Sequence, residues 1–175
     1  KNCKLVLSSK TNFSKKDIGS SISCSGACLT LENVKKNLNK FYLSKETLNR
    51  TNFKYANKGD IINIEKSVKY GDRISGHFVQ GHVDTTSKIK SINLVGKSWV
   101  INFYLTKKYK KYIVFKGSIS INGVSLTVSK ILKDGFQVVI IPKTLKLTNL
   151  IYLQKNDIVN VEFDVLGKYI KSFLK

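Results

Sequence analysis

Short apolar-rich runs, broken by glycine or charged turns about every ten residues, dominate this chain; such runs predict β-strands. Cys3 to Ser8 reads CKLVLS. Ser20 to Cys24 and Ala27 to Leu31 predict a strand pair around Ser25-Gly26, and Asn39 to Leu43 and Ile61 to Glu65 add two more short strands. Ser44 to Asn49 predicts a helical turn, with Ser44 and Thr47 as caps. Ile89 to Val95 and Ser98 to Leu105 form another strand pair around Gly96-Lys97, followed by a short helical piece at Lys107 to Tyr112 and a strand at Phe136 to Ile141. Beyond Asp164 the spacing changes. Val165, Leu166, Tyr169, Ile170, Phe173 and Leu174 fall on one face of a helix.

The strand pattern occurs twice. Ser21 to Leu31 (SISCSGACLTL) aligns without a gap on Ser118 to Val128 (SISINGVSLTV), a shift of 118 − 21 = 97 residues. The same shift carries Thr47, Leu48, Thr51 and Asn52 onto Thr144, Leu145, Thr148 and Asn149, and Lys58, Asp60, Ile61, Asn63 and Glu65 onto Lys155, Asp157, Ile158, Asn160 and Glu162. One offset over three separated blocks predicts a duplicated domain. With many short strands and little helix, the fold class is all-β: two tandem, similar antiparallel barrels plus a C-terminal helix. Residues 1–75 make the first barrel, 76–164 the second and 165–175 begin the helix. The chain contains no Met, so Lys1 is not expected to be a translation start, and the first strand of the first barrel is expected to be truncated.

The formal charge is +20, but only Arg50 and Arg73 among the basic residues are Arg, and the lysines are scattered. Specific nucleic-acid readers lean on Arg for bidentate contacts, so the charge reads as a solvated surface and no specific nucleic-acid partner is expected. No apolar run reaches the length of a membrane span, which excludes a membrane helix. Cys3, Cys24 and Cys28 are odd in number and all lie in the first copy, which predicts a reducing compartment, the cytoplasm. Two His without a CxxC pair predict no metal.

Chemistry is expected where the copies differ. Cys28 faces Ser125 across the shift, Gly19 faces Lys116, and Ser67 faces Asp164. Ser125, Lys116 and Asp164 with nearby Thr127 could supply acid–base help to one copy only. Cys28 suits a small core residue equally well, and Asp164 a helix N-cap. Gly76-His77 and Gly81-His82 lie in the glycine-rich stretch Tyr70 to Asp84. On an extended strand their odd separation would put the two imidazoles on opposite faces, with only one pointing inward.

These motifs together resemble the riboflavin synthase family of the two-barrel type. The matching blocks are SGACLTL, SKETLNRTN, SGHFVQGHVDTT, YKKYIVFKGSISINGVSLTV, VVIIPKTLKLTNL and NDIVNVEFDVLGKY, in family order over most of the chain. The resemblance implies six-stranded Greek-key barrels and a homotrimer held by the C-terminal helix. The working site then lies between one subunit's N-terminal barrel and its neighbour's C-terminal barrel. It implies dismutation of two 6,7-dimethyl-8-ribityllumazine molecules, without a cofactor, into riboflavin and a ribitylaminopyrimidinedione, and an association with lumazine synthase. Cys28, Leu29 and Thr30, with Tyr42, Leu43, Ser44, Lys45, Glu46 and Thr47, would line the first pocket. Lys116, Ser125, Leu126 and Thr127, with Val139, Ile140, Ile141, Pro142, Lys143 and Thr144, would line the second. Gly81, His82 and Val83 would join the ligand shell. Cys28, His82, Ser125, Thr127 and Asp164 are the expected catalytic residues. Two features depart from the family: its usual MFTGI start is absent, and Lys143 stands where His or Glu is usual. The alternative implied by the same likeness is a non-catalytic lumazine or flavin carrier, such as an optical antenna protein.

Overall fold

The computed structural model describes residues 3–174. The first repeat holds β1 (Cys3–Ser8), β2 (Ser21–Cys24), β3 (Ala27–Lys35), β4 (Leu38–Leu43), α1 (Lys45–Arg50) and β5 (Ile64–Lys66). The second holds β6 (Thr85–Val95), β7 (Ser98–Tyr104), β8 (Ser118–Ile121), β9 (Val124–Leu132), β10 (Gly135–Ile140), α2 (Pro142–Leu147) and β11 (Ile158–Phe163), followed by α3 (Val165–Phe173). The 97-residue shift maps β2, β3, β4 and α1 onto β8, β9, β10 and α2 end to end. It also preserves strand register, since Ser21 pairs with Thr30 as Ser118 pairs with Thr127.

The second repeat closes into a six-stranded antiparallel barrel in the order β10-β7-β6-β11-β8-β9, with β9 returning to β10. The first forms a five-stranded sheet, β1-β4-β3-β2-β5. It has no counterpart of β6 among the described residues, so five strands stand where a six-stranded barrel is expected. Alternation along the strands builds a separate core in each repeat. Ile22, Leu29, Leu31 and Phe41 fill the first, and Ile119, Val128, Phe136, Val161 and Phe163 the second, where Phe103 stacks on Phe136 with centroids 5.1 Å apart. No helix among the described residues is long and apolar enough to cross a membrane.

The glycine-rich stretch is not a strand. Residues 67–84 form neither strand nor helix between β5 and β6, so the strand argument for the two histidines does not apply.

The repeats meet across a pseudo-two-fold seam of asparagines. Asn52 N–H donates to Asn160 Oδ1 (2.7 Å), and its twin Asn149 N–H donates to Asn63 Oδ1 (2.6 Å). Asn52 Nδ2 donates to Ile158 O as Asn149 Nδ2 donates to Ile61 O. Asn160 Nδ2 reaches Ser25 O at 2.8 Å, and Asn63 Nδ2 reaches Asn122 O at 2.9 Å. Gly26 and Gly123 touch at the centre. A Cβ on Gly26 would lie 2.5 Å from Gly123 N, and both residues have positive φ, so no larger residue fits.

The symmetry breaks at one pair. Asn122 Oδ1 accepts from Asn160 N–H (2.9 Å), and its Nδ2 approaches Asn149 Oδ1 (3.4 Å). Its twin Ser25 is too short to do both, and Asn52 Oδ1, the twin acceptor, is buried with no partner among the described residues. Both positions are left-handed, with φ +41° at Ser25 and +48° at Asn122, a region Asn tolerates better than Ser. Ser25→Asn should therefore stabilise the protein by about 1 kcal/mol, raising Tm by roughly 2–4 °C in calorimetry. An unchanged or lower Tm would mean that the added amide does not reach Asn52.

Candidate functional site

Two clefts of about 770 Å³ each flank the seam, and part of their linings corresponds through the repeat. The first is walled by Ala27, Cys28, Thr47 and Thr51 of the first repeat and by Val165 of α3, beyond the second repeat's last strand. The second is walled by Val124, Ser125, Thr144 and Thr148 of the second repeat and by Val68, beyond the first repeat's last strand. Each of these residues maps onto its counterpart by the 97-residue shift. Each cleft is thus built from the β3- or β9-side wall of one repeat and the tail of the other.

A strap, residues 76–82, crosses from one cleft to the other, touching both twin positions with glycine. A Cβ on Gly76 would lie 2.6 Å from Ser125 Oγ, and a Cβ on Gly81 would lie 2.6 Å from Cys28 Cβ; both glycines also have positive φ. Cys28 N–H donates to Gly81 O at 2.8 Å. The histidine after each glycine is then placed beside the same cleft. His77 Nδ1 hydrogen-bonds Ser125 Oγ at 2.7 Å, and His82 lines the first cleft with Cys28. Burial lowers the His77 pKa from its ordinary value, opposed by the negative charge of Asp164. A neutral imidazole against a hydroxyl can take its proton. His77 Nε2 is buried and has no partner among the described residues.

The pattern of the lumazine binding domain matches this chain twice, over residues 2–67 and 80–164. The chain is 40% identical over 163 residues to the riboflavin synthase of Buchnera aphidicola subsp. Schizaphis graminum, covering 90% of this chain and 76% of that one. Identity to the riboflavin synthase of Actinobacillus pleuropneumoniae is 38%, with 90% and 73% covered, and to that of Mycobacterium bovis 37%, with 90% and 80% covered. The chain belongs to the riboflavin synthase family. Among solved structures, LumP in complex with riboflavin superposes with a TM-score of 0.79 at 23% identity, over 91% of this chain and 87% of that one. LumP in complex with 6,7-dimethyl-8-(1'-D-ribityl) lumazine gives 0.75 at 22%, over 86% and 83%. These last two establish the fold.

Not every residue that the family resemblance marks faces a cleft. Glu46, Thr47, His82 and Val83 line the first, Ser125 and Thr144 line the second, and Cys28 and Gly81 border both. Leu29, Leu43, Leu126 and Ile140 are buried in the barrel cores. A run of consecutive strand residues alternates faces, so such a window cannot present every side chain to one cavity. Thr30, Tyr42, Lys45, Thr127, Val139, Ile141, Pro142 and Lys143 are exposed and outside both linings. Lys116 is exposed too, with left-handed φ +63° and its ammonium 5.6 Å from the Phe115 ring centroid. Ser44 caps α1 by accepting from Thr47 N–H at 3.0 Å.

Cys28 is exposed, so the small-core reading belongs to Cys24 instead, whose thiol burial pushes up to about 12. The two point to opposite sheet faces on paired strands. Asp164 is the N-cap of α3, accepting from Leu166 N–H at 3.0 Å. Asp84 and Lys168 were not legible as site residues. Asp84 Oδ2 accepts from Phe163 N–H (2.8 Å) and pairs with Lys168 Nζ (2.7 Å), fixing α3 as one wall of the first cleft. His77 had a signal in sequence, because Gly76-His77 and Gly81-His82 repeat the same dipeptide.

Proposed function

We propose that this chain is a riboflavin synthase, a transferase that dismutates two 6,7-dimethyl-8-ribityllumazine molecules. One lumazine gives up a four-carbon unit and leaves as 5-amino-6-(ribitylamino)pyrimidinedione; the other gains the unit and becomes riboflavin. The observation that carries this reading is the pair of twin clefts. Two identical substrates need two similar berths, and a duplicated barrel supplies them. The berths differ in their chemistry, with His82 in the first, Ser125 and His77 in the second, and Cys28 at the border of both. That difference lets one bound ring act as donor and the other as acceptor. Holding both rings in register supplies much of the acceleration. His77, taking the Ser125 proton, prepares a base or nucleophile in the second cleft. Cys28 and His82 face the ring in the first, and Asp164 holds negative charge toward His77. Riboflavin synthases at 37–40% identity support the reaction, and the LumP complexes with lumazine and riboflavin agree with the ligand class. The titratable groups in both clefts favour an enzyme over a flavin carrier.

The active assembly in this reading is a homotrimer, with reacting rings brought together between the first barrel of one subunit and the second barrel of its neighbour. The exposed apolar face of α3 (Leu166, Tyr169, Ile170, Phe173) supports a helix-mediated contact between copies. The enzyme works in the cytoplasm.

Incubating the trimeric protein with the lumazine alone should yield riboflavin and the pyrimidinedione in equal amounts. Ligand binding with no product would instead make the chain a carrier.

A further inference from the structure

We propose that Glu162 is a positioning residue of the first cleft, its carboxylate clamping the strap so that Gly81 and His82 stand against Cys28. This rests on the reading that each cleft holds one ring. Glu162 lies near the end of β11 and is 2% exposed. A carboxylate so buried is costly unless hydrogen bonds hold it. Here each oxygen takes a separate, consecutive backbone donor of the strap: Oε1 accepts from Gln80 N–H at 2.8 Å and Oε2 from Gly81 N–H at 3.0 Å. Such charge-assisted bonds are the stronger class. The Gly81 carbonyl accepts from Cys28 N–H at 2.8 Å. Gly81 is therefore tied to the second repeat by its N–H and to the first by its C=O, and His82 follows directly.

The fold does not require the clamp. The twin of Glu162 is Glu65, at the matching place on β5, and it is exposed and accepts no hydrogen bond among the described residues. The strand pairing of β2 with β5 forms without it, as β8 pairs with β11. The clamp is present on the one side where the strap meets Cys28.

The chain has two histidines, and each reports one cleft. His-labelled protein titrated with riboflavin, followed by imidazole NMR signals, reads both affinities in one sample. In Glu162→Gln the retained oxygen keeps one N–H, while the amide nitrogen faces the other. The His82 signals should then report at least ~10-fold weaker binding, with His77 within ~2-fold of wild type. Amide exchange at Gln80 and Gly81 should speed up in the same variant. Glu162→Asp, too short to reach both donors, should fall between and serves if the Gln variant does not fold. Equal weakening at both histidines, or unchanged exchange at Gln80 and Gly81, would overturn the clamp. Riboflavin moving neither histidine in the wild type would overturn the two-cleft reading itself, while the exchange comparison would still judge the clamp.

Discussion

Asn160→Ala melts well below the wild type. Asn160 is 1% exposed and works at the seam in two directions, accepting from Asn52 N–H and donating to Ser25 O. Alanine strands both partners, and each orphaned buried group costs about 1–3 kcal/mol. A loss of about 3 kcal/mol follows, or roughly 6–12 °C in Tm for a chain of this size. The twin substitution Asn63→Ala removes the equivalent bonds to Asn149 N–H and Asn122 O. Asn63 is only half-buried, so water can replace part of what is lost, and the loss should be smaller. Calorimetry of the two single variants and the double variant checks this. Independent, additive losses would mean that the seam is not one cooperative unit. A Tm unchanged in Asn160→Ala would mean that the repeats are held together by something other than the asparagines.

Turnover falls ~10²–10⁴-fold in His77→Gln, while ligand affinity stays within a few-fold. Gln can still hydrogen-bond Ser125 Oγ but cannot take its proton, which separates positioning from base catalysis. The pH profile supplies a second reading. Burial lowers the His77 pKa, so the imidazole is neutral at pH 7 and protonates only below its ordinary value of 6.5. Wild-type kcat/KM should drop on acidification through that lowered value, and the Gln variant should lack this limb. The stability effect has the same direction. The unfolded chain takes up the proton first, at its higher pKa, so the contribution is present above pH 6.5 and lost as pH falls through the folded value. A variant that keeps full turnover, or that keeps the acid limb, would move the base role to another group.

The duplication was plain in the sequence because Ser21, Ile22, Ser23, Gly26, Leu29 and Thr30, and then Thr47, Leu48, Thr51 and Asn52, recur at one offset. Ser44 and Asp164 cap their helices as their positions suggest. The seam was half visible. Asn52, Asn63, Asn149 and Asn160 recur at the shift, yet the bonds joining Asn149 to Asn63 and Asn52 to Asn160 link residues 86 and 108 apart, which no local pattern encodes. The strap was opaque for a related reason. It has no periodicity of its own, and its path is set by distant groups, Ser125, Cys28 and Glu162. Within the windows of pocket residues, Leu29, Leu43, Leu126 and Ile140 turn into the cores because strand alternation outranks adjacency in the chain.

The most direct measurement is a crystal structure of the protein grown with riboflavin. Two isoalloxazine rings per chain are predicted, one beside Cys28 and His82 and one beside Ser125 and His77. A single ring, or rings lying on the barrel surfaces away from both histidines, would contradict the twin-berth account.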